Sequence, residues 1–142
     1  MRTIYKIAAW FISITLPFFI IMFSIRVLFT PLFLSFEYNF PGFPKDSYGF
    51  STEERMLWGS ESMTYLFDRN NSSNLSDLKF EDGTNIYNYR EISHMVDVKN
   101  LLLQSLNIFY IILVIYFLLF FFFLKKNSLK FFLQGISYGG WF

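Results

Sequence analysis

The hydrophobic and polar positions of this chain fall into separate blocks. Residues 7–29 form an apolar stretch of twenty-three residues, and residues 101–124 form another of twenty-four. At 1.5 Å per residue, a helix of either length crosses a hydrocarbon core of about 30 Å. The pattern therefore predicts two complete transmembrane helices, the first of them interrupted by Pro17 and carrying Arg26 near its far end.

A cleaved signal peptide is the competing interpretation of the first stretch, because Arg2 and Lys6 precede it. The apolar run is too long for a signal peptide, and no A-x-A-like cleavage site follows before Pro31. We therefore interpret it as a spanning helix.

The polar block between these stretches carries its own folding signals. Ser51 and Glu54 have the spacing of a capping box and predict a helix over residues 52–68. An Asp-Gly pair at 82–83 predicts a hairpin or tight turn. From Tyr89 the apolar positions return to helical spacing, which predicts a helix that runs directly into the second membrane helix.

Residues 131–142 begin a third apolar segment. As a helix these twelve residues reach only about 18 Å, which is too short to span. Gly135 and Gly139 form a GxxxG pair that lets another helix pack closely. We expect the natural protein to continue beyond Phe142, so that this chain is a fragment or an early-terminated product; a re-entrant end is the alternative.

The distribution of charge predicts the orientation. All eleven acidic residues lie between Glu37 and Asp97, whereas basic residues precede the first span and follow the second. The positive-inside rule places both outer ends in the cytoplasm. The expected fold is an α-helical, multi-pass integral protein of the plasma membrane with a small, mainly helical extracytoplasmic domain. Its expected segments are a cytoplasmic N-terminus (1–6), transmembrane helix 1 (7–34), the extracytoplasmic domain (35–99), transmembrane helix 2 (100–124), a cytoplasmic basic turn (125–130) and the start of a truncated transmembrane helix 3 (131–142).

Composition excludes several kinds of chemistry. The chain has no cysteine and one histidine, which rules out disulfides, thiolate nucleophiles and ordinary structural zinc sites. No glycine-rich phosphate loop, G-x-S-x-G elbow or calcium loop is present. The basic residues form no patch of the kind that binds nucleic acid. We expect no metal and no cofactor.

His94 is the candidate catalytic residue. On a helix, Arg90 lies four residues before it and Asp97 three residues after it, so both reach the same face, with Glu91 nearby. A carboxylate there orients an imidazole and leaves its other nitrogen to act as a general base. The competing interpretation is an ordinary polar histidine on a solvated helix face near a membrane surface.

Two segments resemble a known family. FSTEER at 50–55, and LKFEDGTNIYNYREISHMVDVK at 78–99 leading into a transmembrane helix, are similar to bacterial lipoprotein intramolecular transacylases, the Lit family. The resemblance implies a four-helix membrane enzyme of Gram-positive bacteria that acts at the outer face. Its reaction moves an acyl chain from the sn-2 ester of a diacylglyceryl-cysteine lipoprotein to the cysteine α-amine.

The resemblance also implies roles for individual residues. His94 matches the first catalytic histidine of the family. The first hypothesis takes His94 as the base of a membrane transacylase, with Arg90 and Asp97 as the groups that orient it. The family uses a second histidine between its third and fourth helices, and this sequence has none. We therefore expect these 142 residues alone to be inactive or nearly so. The expected partners are the lipid bilayer and the diacylglyceryl-modified lipoprotein.

A non-catalytic membrane subunit is the second hypothesis. Its outer domain would bind a partner protein, and the GxxxG segment would dock against another helix. The REIxHMxDV segment at 90–98 argues against it, because docking does not need that pattern.

Overall fold

The computed structural model describes residues 2–44, 46–70, 74–80 and 82–141. Within these residues the fold is all-helical apart from one isolated antiparallel bridge, between Lys79 and Asn85. The elements in chain order are α1 (Arg2–Leu28), α2 (Pro31–Tyr38), α3 (Thr52–Phe67), a 3₁₀ segment (Leu75–Asp77), α4 (Tyr89–Lys125) and α5 (Leu129–Gly139). The helical fold class is confirmed.

Two of these helices are long and apolar enough to cross a membrane. They are Thr3–Leu28 within α1 and Tyr89–Lys125, with mean hydropathies of 2.2 and 2.7 in their most apolar windows. Only 17% and 22% of those windows is buried, whereas a core helix of a soluble protein is mostly buried. Apolar helices with exposed sides are what lipid contact requires.

The first long helix ends before residue 34, where transmembrane helix 1 was expected to end. α1 stops at Leu28, and Pro31 begins the separate helix α2. Thr30 is extended, as a residue before proline prefers, and its hydroxyl oxygen accepts the N–H of Phe33. Sequence reasoning did not predict α2.

The chain divides into two compact units, one comprising residues 1–24 and 105–142, the other residues 25–104. In the first unit, α1 and α4 are joined by hydroxyl groups. The Tyr116 hydroxyl lies 2.8 Å from that of Thr15 and donates to the carbonyl oxygen of Ile12 at 3.2 Å. The ring of Phe19 stacks on Phe109 with centroids 4.9 Å apart.

α5 packs on α1 through its two helical glycines. A Cβ at Gly135 would lie 2.8 Å from the carbonyl oxygen of Ala9, and one at Gly139 would lie 2.7 Å from that of Ser13. Both glycines are buried. The GxxxG pair therefore does serve close helix packing, and the helix that it contacts belongs to this same chain.

In the second unit, α3 begins as the sequence predicts. The Ser51 hydroxyl accepts the N–H of Glu54, and the Glu54 carboxylate accepts the N–H of Ser51. This capping box satisfies two N–H groups that the first turn would leave unpaired. α2 lies along α3, where the Leu34 side chain fills the space over Gly59.

The core of this unit forms around the end of α3. Tyr65, Leu66 and Leu75 are buried there. Partly buried side chains that pack against them are Phe67, Leu78, Tyr87, Met95, Val98 and Leu102. The core therefore fixes one side of the start of α4.

The predicted tight turn is present. The N–H of Gly83 donates to the carbonyl oxygen of Phe80, and the N–H of Phe80 donates to that of Thr84, both at 2.9 Å. Gly83 has a φ of +83°, which favours glycine.

Candidate active site on helix α4

The first turn of α4 is fixed by Asn88 and Glu91. The Asn88 side-chain oxygen accepts the N–H of Glu91 at 3.0 Å, and the Glu91 carboxylate accepts the N–H of Asn88 at 2.7 Å. This is the reciprocal pattern of a capping box, with asparagine in place of serine. Two residues of the family-like segment therefore have a structural role that sequence reasoning missed. The signal was available, because an N-x-x-E spacing precedes an apolar periodic run.

Arg90, His94 and Asp97 lie on one face of α4. Their spacings of four and three residues place them one above the other, and all three are exposed. The same face continues to Leu101 and Gln104, which are exposed too. One exposed stripe of α4 thus consists of Arg90, His94, Asp97, Leu101 and Gln104, in that order along the helix.

The adjacent side of α4 is occupied. Met95, Val98 and Leu102 pack against the buried cluster at the end of α3. Because that packing fixes the rotation of the helix, the stripe that carries His94 faces away from the core of this unit. An exposed imidazole held on a rigid helix is accessible to a substrate.

The helix brings the three predicted site residues to one face without joining them. In the described part of the chain, the His94 ring forms no hydrogen bond or ion pair with Arg90 or Asp97. The carboxylate of Glu91 accepts the N–H of the cap residue Asn88, so this carboxylate is held at the start of the helix. The assignment of roles to Arg90, His94 and Asp97 stays a prediction.

Lys99 lies close to this stripe in sequence but has a different environment. It is 4% exposed, and its ammonium lies 4.2 Å from the centre of the Tyr65 ring. Two residues further along α3, the Phe67 ring has the Arg26 guanidinium 4.8 Å from its centre. Both cations are held by aromatic faces at the C-terminal end of α3. Sequence reasoning missed these pairs, because no spacing links positions so far apart in the chain.

The carboxylates with lowered pKa values lie in turns and caps. Hydrogen bonds from the N–H groups of Phe50 and Tyr48 lower the pKa of Asp46, and the Arg55 guanidinium adds to the effect. The N–H and hydroxyl of Ser51 lower the pKa of Glu54. These carboxylates are held as stable anions, so they are poor candidates for a general base.

An open groove of about 620 Å³ lies at the start of α4. Its wall is formed by Asn85, Ile86, Tyr87, Asn88, Tyr89, Glu91 and Ile92. The groove lies about one turn of helix before His94, and Asn88 and Ile92 in its wall are displaced by more than 100° around the helix from the side that carries His94. Across the described residues, no group of three His, Cys, Asp or Glu side chains has the arrangement of a metal site.

Comparison with known proteins gives one family. A family model described as "Lipoprotein intramolecular transacylase Lit" matches residues 10–141. A curated protein of Aquifex aeolicus (strain VF5), described as uncharacterized, is 26% identical over 97 residues. That match covers 68% of this chain and 45% of the relative, so the chain spans about half the length of the relative. No solved structure matches the chain.

Proposed function

Because this chain belongs to the lipoprotein intramolecular transacylase family, we propose that it carries the His94 part of an acyl-transfer site. The substrate is a lipoprotein with a diacylglyceryl-cysteine N-terminus, and the product is the lyso form acylated on the cysteine α-amine. The observation that carries the proposal is the exposed imidazole of His94 on a helix that continues as an apolar span.

The reaction needs no soluble acyl donor. The α-amine attacks the sn-2 ester carbonyl, an amide C–N bond forms, and the ester C–O bond to glycerol breaks. The amine proton passes to His94 and from there to the departing glycerol oxygen, so atoms and charge balance. Since ester and amine belong to one molecule, their proximity replaces a bimolecular encounter.

His94 acts as general base and then as general acid. An imidazole exchanges a proton near neutral pH, which suits both steps. Asp97 is the positioning residue in this proposal, because a rotation of its side chain brings a carboxylate toward the ring from three residues away. Arg90 lies on the side remote from the apolar span, where a guanidinium stabilises negative charge that develops on the reacting ester.

The apolar continuation of the stripe supports a lipid substrate. Leu101 is 67% exposed and follows Asp97 by one turn of helix. An acyl chain lying against this part of α4 places its ester at the level of the polar residues.

The test is conversion of a diacylated lipoprotein in a host without its own transacylase. The diacyl and lyso forms have the same mass, because the acyl chain moves within one molecule. Mass spectrometry after ester hydrolysis distinguishes them, since the lyso form keeps one amide-linked acyl chain and the diacyl form keeps none. We expect His94→Ala to remove any turnover, whereas Val96→Ala, on a different face of α4, leaves it intact. Turnover that survives His94→Ala contradicts the assigned role.

A binding assay complements the turnover assay. A photo-crosslinking amino acid at Leu101 should capture diacylated lipoprotein, and the same group at Val96 should capture much less. This measurement reports on the stripe whether or not the chain turns over its substrate. Equal capture from the two positions would argue against the stripe as the substrate face.

A further inference from the structure

Helix α2 has two apolar faces. On one, Leu34 contacts α3 at Gly59, and the Tyr38 ring lies 4.9 Å from the Arg55 guanidinium. On the other, Leu32 and Phe36 are 83% and 61% exposed. Packing within this unit therefore accounts for only one side of α2.

The exposed face is continuous and extends past the end of the helix. Leu32, Phe36 and Phe40 recur every four residues, which places them along one side. They line an open groove of about 470 Å³ with Ser35, Asn39 and Pro41. A contiguous apolar surface of this kind marks contact with lipid or protein.

The direct connection of α2 to the spanning helix α1 favours lipid over protein as the occupant. α2 begins at Pro31, three residues after the spanning helix α1 ends at Leu28. Eight helical residues extend only about 12 Å, so the whole of α2 remains near the membrane surface. From Val27 to Phe43 the only charged residue is Glu37. A segment so apolar, attached to the end of a span, is suited to the acyl-chain boundary.

We propose that α2 lies in the bilayer interface, with Leu32, Phe36 and Phe40 inserted among the acyl chains and α3 packed on its other side. The occupant of the exposed face is the lipid surface. Glu37 is displaced by about 100° around the helix from Phe36, so its carboxylate points away from the acyl chains. The inference goes beyond the proposed function, because it does not depend on acyl transfer.

Single-cysteine labelling tests the proposal, since the native chain contains no cysteine. Leu32→Cys, Phe36→Cys and Glu37→Cys variants of the full chain each carry a nitroxide after reconstitution into phosphatidylethanolamine and phosphatidylglycerol vesicles. Electron paramagnetic resonance then compares collisions with oxygen, which enriches in lipid, and with a water-soluble nickel chelate. Circular dichroism checks that each variant keeps its helical content.

We expect labels at positions 32 and 36 to meet oxygen at least several times more readily than the nickel chelate, and a label at 37 to show the reverse preference. Glu37 is the matched control because it neighbours Phe36 on the same exposed helix. If the label at 36 meets the nickel chelate as often as the label at 37, the face is in water and the proposal is wrong. An immobile label at 36 that meets neither reagent indicates a protein partner, which also overturns it.

Discussion

At Gly135 and Gly139 the available space is smaller than one methyl group. A Cβ at Gly139 would meet the backbone of Ser13 at 2.7 Å and the Cβ of Leu16 at 2.8 Å. Neither contact is with the flexible end of a side chain, so relief requires α1 and α5 to move apart. We expect Gly139→Ala to destabilise the packing of α5 by about 1–3 kcal/mol, as overpacking typically does. Unfolding by a denaturing detergent, followed by circular dichroism, measures the loss.

The neighbouring Gly140 provides the control. Its added Cβ would come no closer than 3.4 Å to the carbonyl oxygen of Ile136, and its backbone is in the ordinary right-handed region. Gly140→Ala should leave the unfolding midpoint nearly unchanged. Equal effects at positions 139 and 140 would mean that contact with α1 is not what requires the glycine.

Asp46 makes part of the stability depend on pH. Its folded-state pKa is lowered, chiefly by the N–H of Phe50. Folding therefore favours the ionised carboxylate, and its stabilising effect is present above the ordinary aspartate pKa of about 4 and lost as the pH falls through the lowered pKa. We expect Asp46→Asn to unfold more easily at pH 7 and to lose less stability than the native chain between about pH 4 and pH 2.

Thermal unfolding at a series of pH values checks this prediction. Glu53→Gln is the control, because it removes an exposed carboxylate from the first turn of α3 and leaves the turn at Asp46 intact. If the two variants reduce the loss of stability at low pH equally, the effect comes from net charge and not from the hydrogen bonds to Asp46.

At the scale of the helix, α4 depends on its cap. Asn88 and Glu91 close the first turn of a 37-residue helix, and the next residues along it include those proposed for the site. Asn88→Ala should destabilise this end by about 1 kcal/mol, whereas Asn88→Asp keeps an acceptor and should cost much less. Hydrogen exchange measures the effect, because the amides of the first turn should exchange faster in the alanine variant alone. No difference between the two variants would mean that the side chain does not cap α4.

Elements with strong local signals were predicted from the sequence. α3 has a capping box and an apolar periodicity, and the observed helix Thr52–Phe67 ends one residue before the predicted end. The helix from Tyr89 does run without a break into the second apolar stretch. Both outcomes follow from backbone hydrogen bonding and periodicity, which are local properties of the chain.

α2 was not predictable in the same way. Its residues follow a spanning stretch and are apolar on nearly all sides, so no polar face distinguishes a short interfacial helix from the end of the span. The break depends on Pro31, and a proline at this position permits either a kinked continuation or a new helix. Contact with α3 through Leu34 and Gly59 decides between them, and that contact is not local.

The candidate site likewise has features that follow from local sequence and features that depend on the folded chain. The spacing of Arg90, His94 and Asp97 predicts a common helix face, and α4 has that face exposed. Whether their side chains bond to one another depends on rotamers, which spacing does not fix. The aromatic partner of Lys99 comes from α3, more than thirty residues earlier, so only the folded chain reveals it.

The distribution of charge along the entire chain determines which side of the membrane residues 35–99 are expected to face. Acidic residues occur only from Glu37 to Asp97, and bases without acids flank both apolar spans at their outer ends. An orientation that placed the basic turn at 125–130 outside the cell would oppose the positive-inside bias. Residues 35–99 should therefore face the exterior. A cysteine in place of Ser76, which is exposed within the 3₁₀ segment, should react with a membrane-impermeant maleimide in intact cells. A cysteine at Lys126 should react only after permeabilisation. The reverse labelling pattern would place His94 on the cytosolic side, where an external diacylglyceryl-cysteine cannot reach it. The proposed reaction would then be impossible, whatever the chemistry of the residues at the site.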